Sequence, residues 1–332
     1  MKECKKGGRL IVVSGSLNCD ITLFVDKIVE PKTKVRRIQR FLGGSGGNIV
    51  TAVAKIVPGK AIFLGAVGSD DIGRAHLNFL KGLGVVTEFV KVVDGEVSGQ
   101  AYAVVESSGR ALIFSYSGAN RYITKDLIDK LASSPYSVEY VIVSNPPLNL
   151  IEYLFKTFKA RDAVTAWDPG AYAKLSLKEM EGVVRLTDYF LPNENELLMI
   201  TGESDLLKAV KAVQSVNSDV VLIVKKGAEG TYLIRGTKVV HTSAVPLDKL
   251  GFKVVSTVGC GDVFTGVFFA FKYLGSDDTE AVKYATVAAA YKALSPDPRA
   301  APTMSELLMF YDKVKDKVSQ KVFKLSELSK GT

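Results

Sequence analysis

The alternation of short apolar strands with helical stretches most constrains the fold of this chain. Residues 9–14 form an apolar, β-branched run that ends at a glycine, a pattern typical of a parallel strand buried on both faces. Similar runs predict strands at 61–67, 140–144, 163–168, 189–192 and 220–225, and helices are predicted from about 48, over 73–82 and over 304–330. This rhythm predicts an α/β fold with a mostly parallel central sheet and helices on both faces.

Two pairs of segments depart from this rhythm. Residues 21–26 with 35–41, and 99–106 with 110–117, alternate in side-chain type, which predicts antiparallel strands set apart from the main sheet. The 332 residues contain no internal repeat and no low-complexity linker. We therefore expect one domain over residues 1–332.

Composition excludes several classes of function. Three dispersed cysteines (Cys4, Cys19 and Cys260) and two histidines (His76 and His241) do not supply a tetrahedral zinc site, and the odd cysteine count indicates a reducing compartment. Any bound metal must therefore use oxygen ligands. The net charge of +8 comes from scattered Lys and Arg without interleaved aromatic residues, so no nucleic-acid partner is expected.

Membrane association is also not expected. No stretch reaches about 18 uninterrupted apolar residues, and the first twenty residues lack the cleavage pattern of a signal peptide. The predicted location is the cytoplasm.

The segment 254–266 carries the most chemical information. A glycine-rich turn, Gly259-Cys260-Gly261, leads into a nearly all-apolar helix predicted from Asp262 through Leu274. Unpaired N–H groups and the helix dipole favour an anion at such a helix start, and phosphate is the obvious candidate. Asp262 either caps this helix or removes a proton from a nucleophile beside the phosphate.

This segment resembles the Asp-Thr-x-Gly-Ala-Gly-Asp signature of the ribokinase-like (PfkB) family of carbohydrate and nucleoside kinases. The resemblance covers about residues 10 to 300. Other family landmarks occur in the same order: Gly15-Ser-Leu-Asn18-Cys-Asp20, Gly43-Gly44-Ser-Gly-Gly-Asn48, Gly65-Ala-Val-Gly68-Ser-Asp70-Asp-Ile-Gly73, Gly118-Ala-Asn120, Asp168-Pro169, Pro192-Asn193-Glu-Asn-Glu196 and Lys226-Gly227-Ala-Glu-Gly230.

The resemblance implies an ATP-dependent kinase that transfers the γ-phosphoryl group to a hydroxymethyl group. Asp262 would be the base, and the N–H groups of Gly259, Cys260 and Gly261 would stabilise charge on the transferred group. Cys260 replaces the usual alanine, and from the sequence alone it is equally a small buried apolar residue. Ser256 replaces the first aspartate of the signature, in a neighbourhood that contributes to a monovalent-cation site in relatives, so the substitution leaves a potassium requirement open.

On the nucleotide side, Asn193 and Glu196 resemble the Asn-x-x-Glu motif, which in the family orders Mg²⁺, its waters and the nucleotide phosphates. Glu196 would then contact the metal through water. The two residues could equally cap a helix. Lys225, Gly227 and Gly230 follow a predicted strand where the family pattern has nucleotide contacts, although Lys225 could equally be a solvated lysine.

On the acceptor side, Asn18, Asp20, Gly43, Gly44 and Asn48 resemble the sugar site of the family. Carboxylate and amide groups bind vicinal hydroxyls, and glycine lets a sugar approach the backbone closely. From the sequence alone, Asn48 could equally cap a helix, and the glycines could belong to a flexible loop.

The family carries a small β lid over the sugar, and the resemblance places it at about residues 16–42 and 98–117. Closing the lid would exclude water as a competing acceptor, and pairing of lids implies a homodimer. A ribose-like sugar is the favoured acceptor. A nucleoside is the alternative, because Tyr102, Phe114 and Tyr116 could stack on a base, although alternating strand aromatics also serve packing.

Rival functions have less support. Ser45 lies between glycines as in a serine-hydrolase elbow, but His241 is the only late histidine and no acid stands in a recognisable relation to it. The chain has no P-loop sequence. A sugar or nucleotide sensor without catalysis is the remaining alternative, and retention of Asp262 beside the Gly-x-Gly turn argues against it.

Overall fold

The computed structural model describes residues 8–29, 31–108 and 110–330. Cys4 lies outside them. The strands are β1 (Leu10–Ser14), β2 (Asn18–Val25), β3 (Val35–Gly43), β4 (Ala61–Gly68), β5 (Val90–Val93), β6 (Gly99–Glu106), β7 (Ala111–Tyr116), β8 (Val138–Val143), β9 (Val164–Trp167), β10 (Tyr189–Phe190), β11 (Val221–Lys225), β12 (Thr231–Arg235), β13 (Lys238–Thr242) and β14 (Gln320–Lys324).

The helices lie mainly in the connections between these strands. They are α1 (Ser45–Ile56), α2 (Asp71–Gly82), α3 (Lys125–Ala132), α4 (Leu148–Lys159), α5 (Glu181–Val184), α6 (Glu194–Thr201), α7 (Leu206–Val216), α8 (Cys260–Tyr273), α9 (Asp278–Lys292) and α10 (Met304–Val314). None of the helices within the described ranges is long and apolar enough to cross a bilayer. The cytoplasmic location stays a prediction.

The main sheet has the strand order β14-β13-β12-β11-β10-β9-β8-β1-β4-β5. Pairing is parallel from β11 through to β5 and antiparallel among the last strands, β11 to β14. Every residue of β1 and of β4 is buried. One apolar cluster contains α1, α8, α9 and α10, and a second, separate cluster contains α3, α4 and α7. The predicted α/β fold, with a mostly parallel sheet covered on both faces, is confirmed.

The smaller sheet has the order β3-β2-β6-β7. Its two outer pairs, β2–β3 and β6–β7, are antiparallel as predicted. The central pair, β2–β6, is parallel over eight residue pairs, because the two hairpins come from separate segments that enter the sheet in the same direction.

The end of the chain differs from the sequence prediction. The helix predicted over 304–330 stops at Val314, and residues 320–324 form β14, which pairs with β13 at the edge of the main sheet. Helical periodicity holds through the first part of this segment. It is lost at Gln320–Lys324, an edge strand in which only Gln320 and Phe323 are partly covered, so no two-residue alternation marks the strand in the sequence.

Candidate active site

The candidate residues lie at the carboxyl ends of parallel strands. Asp168 directly follows β9 and Lys225 is the last residue of β11, while Asn18 follows β1 by four positions. Strand β1 lies between β8 and β4. The strands that follow β1 in the chain are added first on the β4 side and later on the β8 side, so the direction of strand addition reverses at β1. Ligands of open α/β sheets bind in the crevice beyond such strand ends.

The glycine turn at the start of α8 has a backbone that requires glycine. Gly259 is the N-cap residue with φ of +83°, and a Cβ atom there would lie 2.6 Å from the carbonyl oxygen of Pro298. The N–H of Cys260 donates to the carbonyl of Thr257 at 3.1 Å. Of the three predicted donors, Gly259 and Gly261 therefore keep N–H groups with no main-chain partner among the described residues.

The N-cap residue of α8 is Gly259, and Asp262 is the third residue of the helix. Asp262 is therefore not the N-cap residue, and the cap interpretation is wrong. Its Oδ2 instead accepts a hydrogen bond from Nδ2 of Asn48 at 2.7 Å. Burial, together with the negative charge of Asp168, raises the pKa of Asp262 to about 7, although Asn48, Lys225 and Ser45 act against the shift. A carboxylate with this pKa is suited to accept a proton near neutral pH.

Beside Asp262 lies a buried ion pair. Nζ of Lys225 donates to Oδ2 of Asp168 at 2.6 Å, and the hydroxyl of Thr265 donates to the same oxygen at 3.1 Å. Burial lowers the pKa of Lys225, but attraction to Asp168 and Glu196 outweighs burial, so the pKa is raised. The solvated-lysine alternative is wrong, because the Lys225 side chain is only 14% exposed. A Cβ on Gly261 would lie 3.5 Å from Nζ of Lys225, so this cation adjoins the glycine turn.

Asn193 and Glu196 form a capping box at the start of α6. Oδ1 of Asn193 accepts from the N–H of Glu196 at 2.9 Å, and Oε2 of Glu196 accepts from the N–H of Asn193 at 2.8 Å. The cap alternative is thus realised in the structure. Burial and the charge of Asp168 raise the pKa of Glu196. One oxygen of Glu196 is used in the cap, which leaves Oε1 for another ligand.

A single cavity of about 640 Å³ brings the nucleotide-side and catalytic candidates together. Its lining combines apolar residues with the polar groups just described. Its lining includes Asn193, Glu196, Lys225, Gly227, Gly230, Gly259, Cys260, Gly261, Asp262, Asp168, Val245, Leu247, Ala289 and Ala293. Such a combination suits a ligand that carries both an apolar ring system and charged groups.

The acceptor candidates do not line this cavity. Asn18 and Gly43 pair across β2 and β3, and a Cβ on Gly43 would collide with the Asp20 carboxylate. Burial raises the pKa of Asp20 to about 6. Gly44 is the N-cap residue of α1 with φ of +84°, and Asn48 lies inside the first turns of that helix. Asn48 is therefore no cap, and its bond to Asp262 joins an acceptor candidate to the catalytic candidate.

A buried cation that the sequence did not single out supports the acceptor side. Arg299 is 3% exposed. It donates from Nη2 to the carbonyl of Gly43 at 2.8 Å and lies 2.9 Å from Nδ1 of His76. Burial and Arg299 lower the pKa of His76 to about 3, so the ring is neutral and Nδ1 accepts. Its Nε2 then donates to the carbonyl of Asn18 at 3.2 Å.

Three further residues escaped the sequence-based list of site residues. Asn120 donates to Oδ1 of Asn18 at 2.8 Å, Asp168 accepts from Lys225, and Thr265 donates to Asp168. Asn120 and Asp168 belong to landmark motifs, so the motif order could have found them. Thr265 has no such signal, because its role depends on contacts formed only in the folded chain.

Comparisons with known proteins identify the family of this chain. The family model for pfkB family carbohydrate kinases matches residues 9–304. The chain belongs to this family. As a member of the pfkB family, it is a phosphotransferase that acts on an alcohol group of a sugar or nucleoside.

Individual relatives are distant but cover nearly the whole chain. Ribokinase of Haemophilus influenzae is 27% identical over 92% of this chain and 99% of its own length. The ATP-dependent ribose-1-phosphate kinase of Halopiger xanaduensis is 25% identical over 90% of this chain and 97% of its own length. The solved structure of Arabidopsis thaliana ribokinase with ribose and ATP superposes with a TM-score of 0.80 at 24% identity, covering 92% of this chain and 99% of that one. This last similarity concerns the fold.

Proposed function

We propose that this kinase transfers the γ-phosphoryl group of ATP to the hydroxymethyl group of a ribose-like sugar. The observation that carries the proposal is the position of Asp262. This carboxylate lies in the first turn of α8, lines the cavity, and is bonded to Asn48 of the acceptor group.

The proposed reaction uses each group of the site in a definite way. The sugar oxygen forms a bond to the γ-phosphorus while the bond from that phosphorus to its bridging oxygen breaks, and ADP leaves. The hydroxyl proton passes to Asp262, whose pKa of about 7 leaves about half of the groups ionised at neutral pH. The N–H groups of Gly259 and Gly261 and the ammonium of Lys225 stabilise negative charge on the phosphoryl oxygens.

Magnesium fits the oxygen donors of the cavity. Oε1 of Glu196 is not used by the capping box, and it would hold the ion through water beside the phosphates. Among the described residues no group of three metal-ligating side chains occurs, so phosphate oxygens and waters would complete the coordination. When bound, the ion would neutralise charge on the phosphate groups.

The choice of sugar over nucleoside rests on the two faces of the smaller sheet. Residues paired across strands share a face, and successive residues alternate between faces. Tyr102 pairs with Ile21 and with Phe114, whereas Asp20 pairs with Ala101. The aromatic residues considered for stacking therefore lie on the face opposite Asp20, and a base next to Asp20 would not reach them.

That aromatic face supports the expected homodimer. The residues concerned are all exposed and share one face of the sheet by register: Ile38, Tyr102, Leu112, Phe114 and Tyr116, with exposed fractions of 53%, 37%, 38%, 58% and 44%. The packing alternative is therefore not supported. An exposed apolar face of this size is typical of an interaction surface, and we propose that a second copy of this chain covers it.

The acceptor is tested by measuring ADP release with a panel of pentoses, hexoses, nucleosides and ribose 1-phosphate, with mass spectrometry of the product. We expect the highest kcat/KM with ribose or a close pentose. Asp262→Asn should lower kcat by about 10²–10⁴, while Asp219→Asn, an exposed carboxylate outside the site, should leave it unchanged. ADP release that no acceptor accelerates, or an unaffected Asp262→Asn variant, would refute the proposal.

A further inference from the structure

A buried lysine behind the anion-binding turn has an unusual set of partners. Lys292, the last residue of α9, is 0% exposed. Its Nζ donates to the carbonyl oxygens of Ser256 at 3.0 Å and Ser295 at 3.1 Å. Buried ammonium groups are normally paired with a carboxylate, but Lys292 forms no salt bridge among the described residues. Main-chain carbonyls hold it instead.

The two carbonyls belong to segments that meet behind the turn. Ser256 lies three residues before Gly259, and the N–H groups of Val255 and Ser256 donate to the carbonyl of Ala293 at 2.8 and 3.2 Å. Lys292 therefore ties the segment that leads into the turn to the end of α9. Burial lowers the pKa of Lys292, and the thiol of Cys260 and the carboxylates of Asp297 and Asp262 oppose this lowering.

A dehydrated monovalent cation is held in proteins by main-chain carbonyl oxygens, the same acceptors that Lys292 uses here. The family resemblance suggests such a cation near Ser256. The residues present do not fit such a cation, because the carbonyl oxygen of Ser256 already accepts a hydrogen bond from Nζ of Lys292. A potassium ion placed at this oxygen would lie against Nζ of Lys292, where the two positive charges repel.

We infer that the ammonium of Lys292 supplies, as part of the chain, the positive charge behind the Gly259–Asp262 turn, so that turnover needs no monovalent cation. Lys292 is a positioning residue. It fixes the carbonyl of Ser256, and thereby the turn whose N–H groups face the phosphoryl group. The inference rests on the proposed function for its kinetic consequence, but the ion-binding consequence is independent of the acceptor.

The wild-type protein tests the inference directly. ADP release is measured in chloride salts of potassium, sodium and choline at one ionic strength, and the melting temperature of the unliganded protein is measured in the same salts. We expect equal turnover and equal melting temperatures in all three. Activation or stabilisation specific to potassium would overturn the inference. If no acceptor is phosphorylated, the proposed function fails while the melting temperatures still decide this inference.

A variant provides the second arm. Lys292→Met keeps an unbranched side chain of similar length but removes the donor to the carbonyl oxygens of Ser256 and Ser295. In choline chloride we expect this variant to have a lower melting temperature than the wild type and a kcat lower by about ten-fold or more. Addition of potassium or ammonium should partly restore both.

Lys55→Met is the matched control, because Nζ of Lys55 also donates to a main-chain carbonyl, that of Ala301, at 2.7 Å. It should show no ion-specific response. A folded Lys292→Met variant with wild-type turnover in choline would overturn the inference, and the wild-type salt series decides the matter if that variant does not fold.

Discussion

The hydrogen bond from Asn48 to Asp262 gives a prediction that can be worked through in numbers. Asn48→Ala removes the 2.7 Å bond that stabilises the ionised carboxylate. A hydrogen bond to a charged group contributes about 1.5–3 kcal/mol, and one pKa unit corresponds to about 1.4 kcal/mol. We therefore expect the pKa of Asp262, about 7 in the wild type, to rise by about 1–2 units.

The consequence is a shifted pH profile. At pH 7 the ionised fraction of Asp262 would fall from about one half to about 1–10%, so kcat/KM would fall about 5–50-fold and recover above about pH 9. The assay is kcat/KM from ADP release between pH 5 and 10, where the midpoint of the acid limb measures the pKa in the free enzyme. Lost sugar contacts alone would lower the whole profile without moving that midpoint.

The control is Asn217→Ala, which also removes a partly buried amide, one that donates to the carbonyls of Val184 and Thr187 at 2.9 Å each. This variant should lose stability and keep the wild-type midpoint. An acid limb that stays in place in Asn48→Ala, or moves to lower pH, would refute the assignment of Asp262 as the group that titrates.

Three further predictions concern stability and assembly. A carboxyl group whose pKa is higher in the folded state than in the unfolded state destabilises the fold as pH rises from about 4 to about 7. At pH 8, Asp262→Asn should therefore unfold at a higher denaturant concentration than the wild type. This difference should vanish below pH 4, where both states of the wild type carry a neutral carboxyl group. Gly259→Ala should lower the free energy of unfolding by about 2–4 kcal/mol, because φ is positive and the new Cβ would collide with the carbonyl oxygen of Pro298. Its control, Gly236→Ala, has φ of +55° and open space around the new Cβ, so it should lower that free energy by about 1 kcal/mol in denaturant unfolding. Phe114→Glu should convert a dimer to a monomer in size-exclusion chromatography with light scattering, and Ile113→Glu, on the other face of β7, should not; a monomeric wild type contradicts the dimer.

The central strands and the turn at Gly259 were predictable from local sequence. Strands β1 and β4 are continuous apolar runs, and buried parallel strands leave this pattern wherever they occur. The start of α8 is likewise marked by glycines followed by an apolar stretch. Both signals come from residues adjacent in the chain, so no tertiary information is needed.

Contacts between distant residues could not be predicted in this way. Asp168 and Lys225 are 57 positions apart, and nothing in the sequence around Lys225 distinguishes a buried ion pair from a solvated lysine. Strand β14 pairs with β13 about 80 positions earlier, and a segment of five residues with partial exposure carries too weak a pattern to reveal an edge strand. The placement of the Arg299 side chain could not be predicted for the same reason, since its partners Gly43 and His76 lie more than 200 positions earlier in the chain.

The parallel seam between β2 and β6 has a consequence for how the smaller sheet forms. Its two hairpins are separated in the chain by α1, β4, α2 and β5. We therefore expect the hairpins to pair only after this intervening stretch has packed into the main sheet and its helical layer. The sheet should therefore assemble last during refolding and open first under native-state hydrogen exchange. Because β2 and β6 pair over eight residue pairs, a hairpin taken from a relative would have to preserve this seam with the other hairpin.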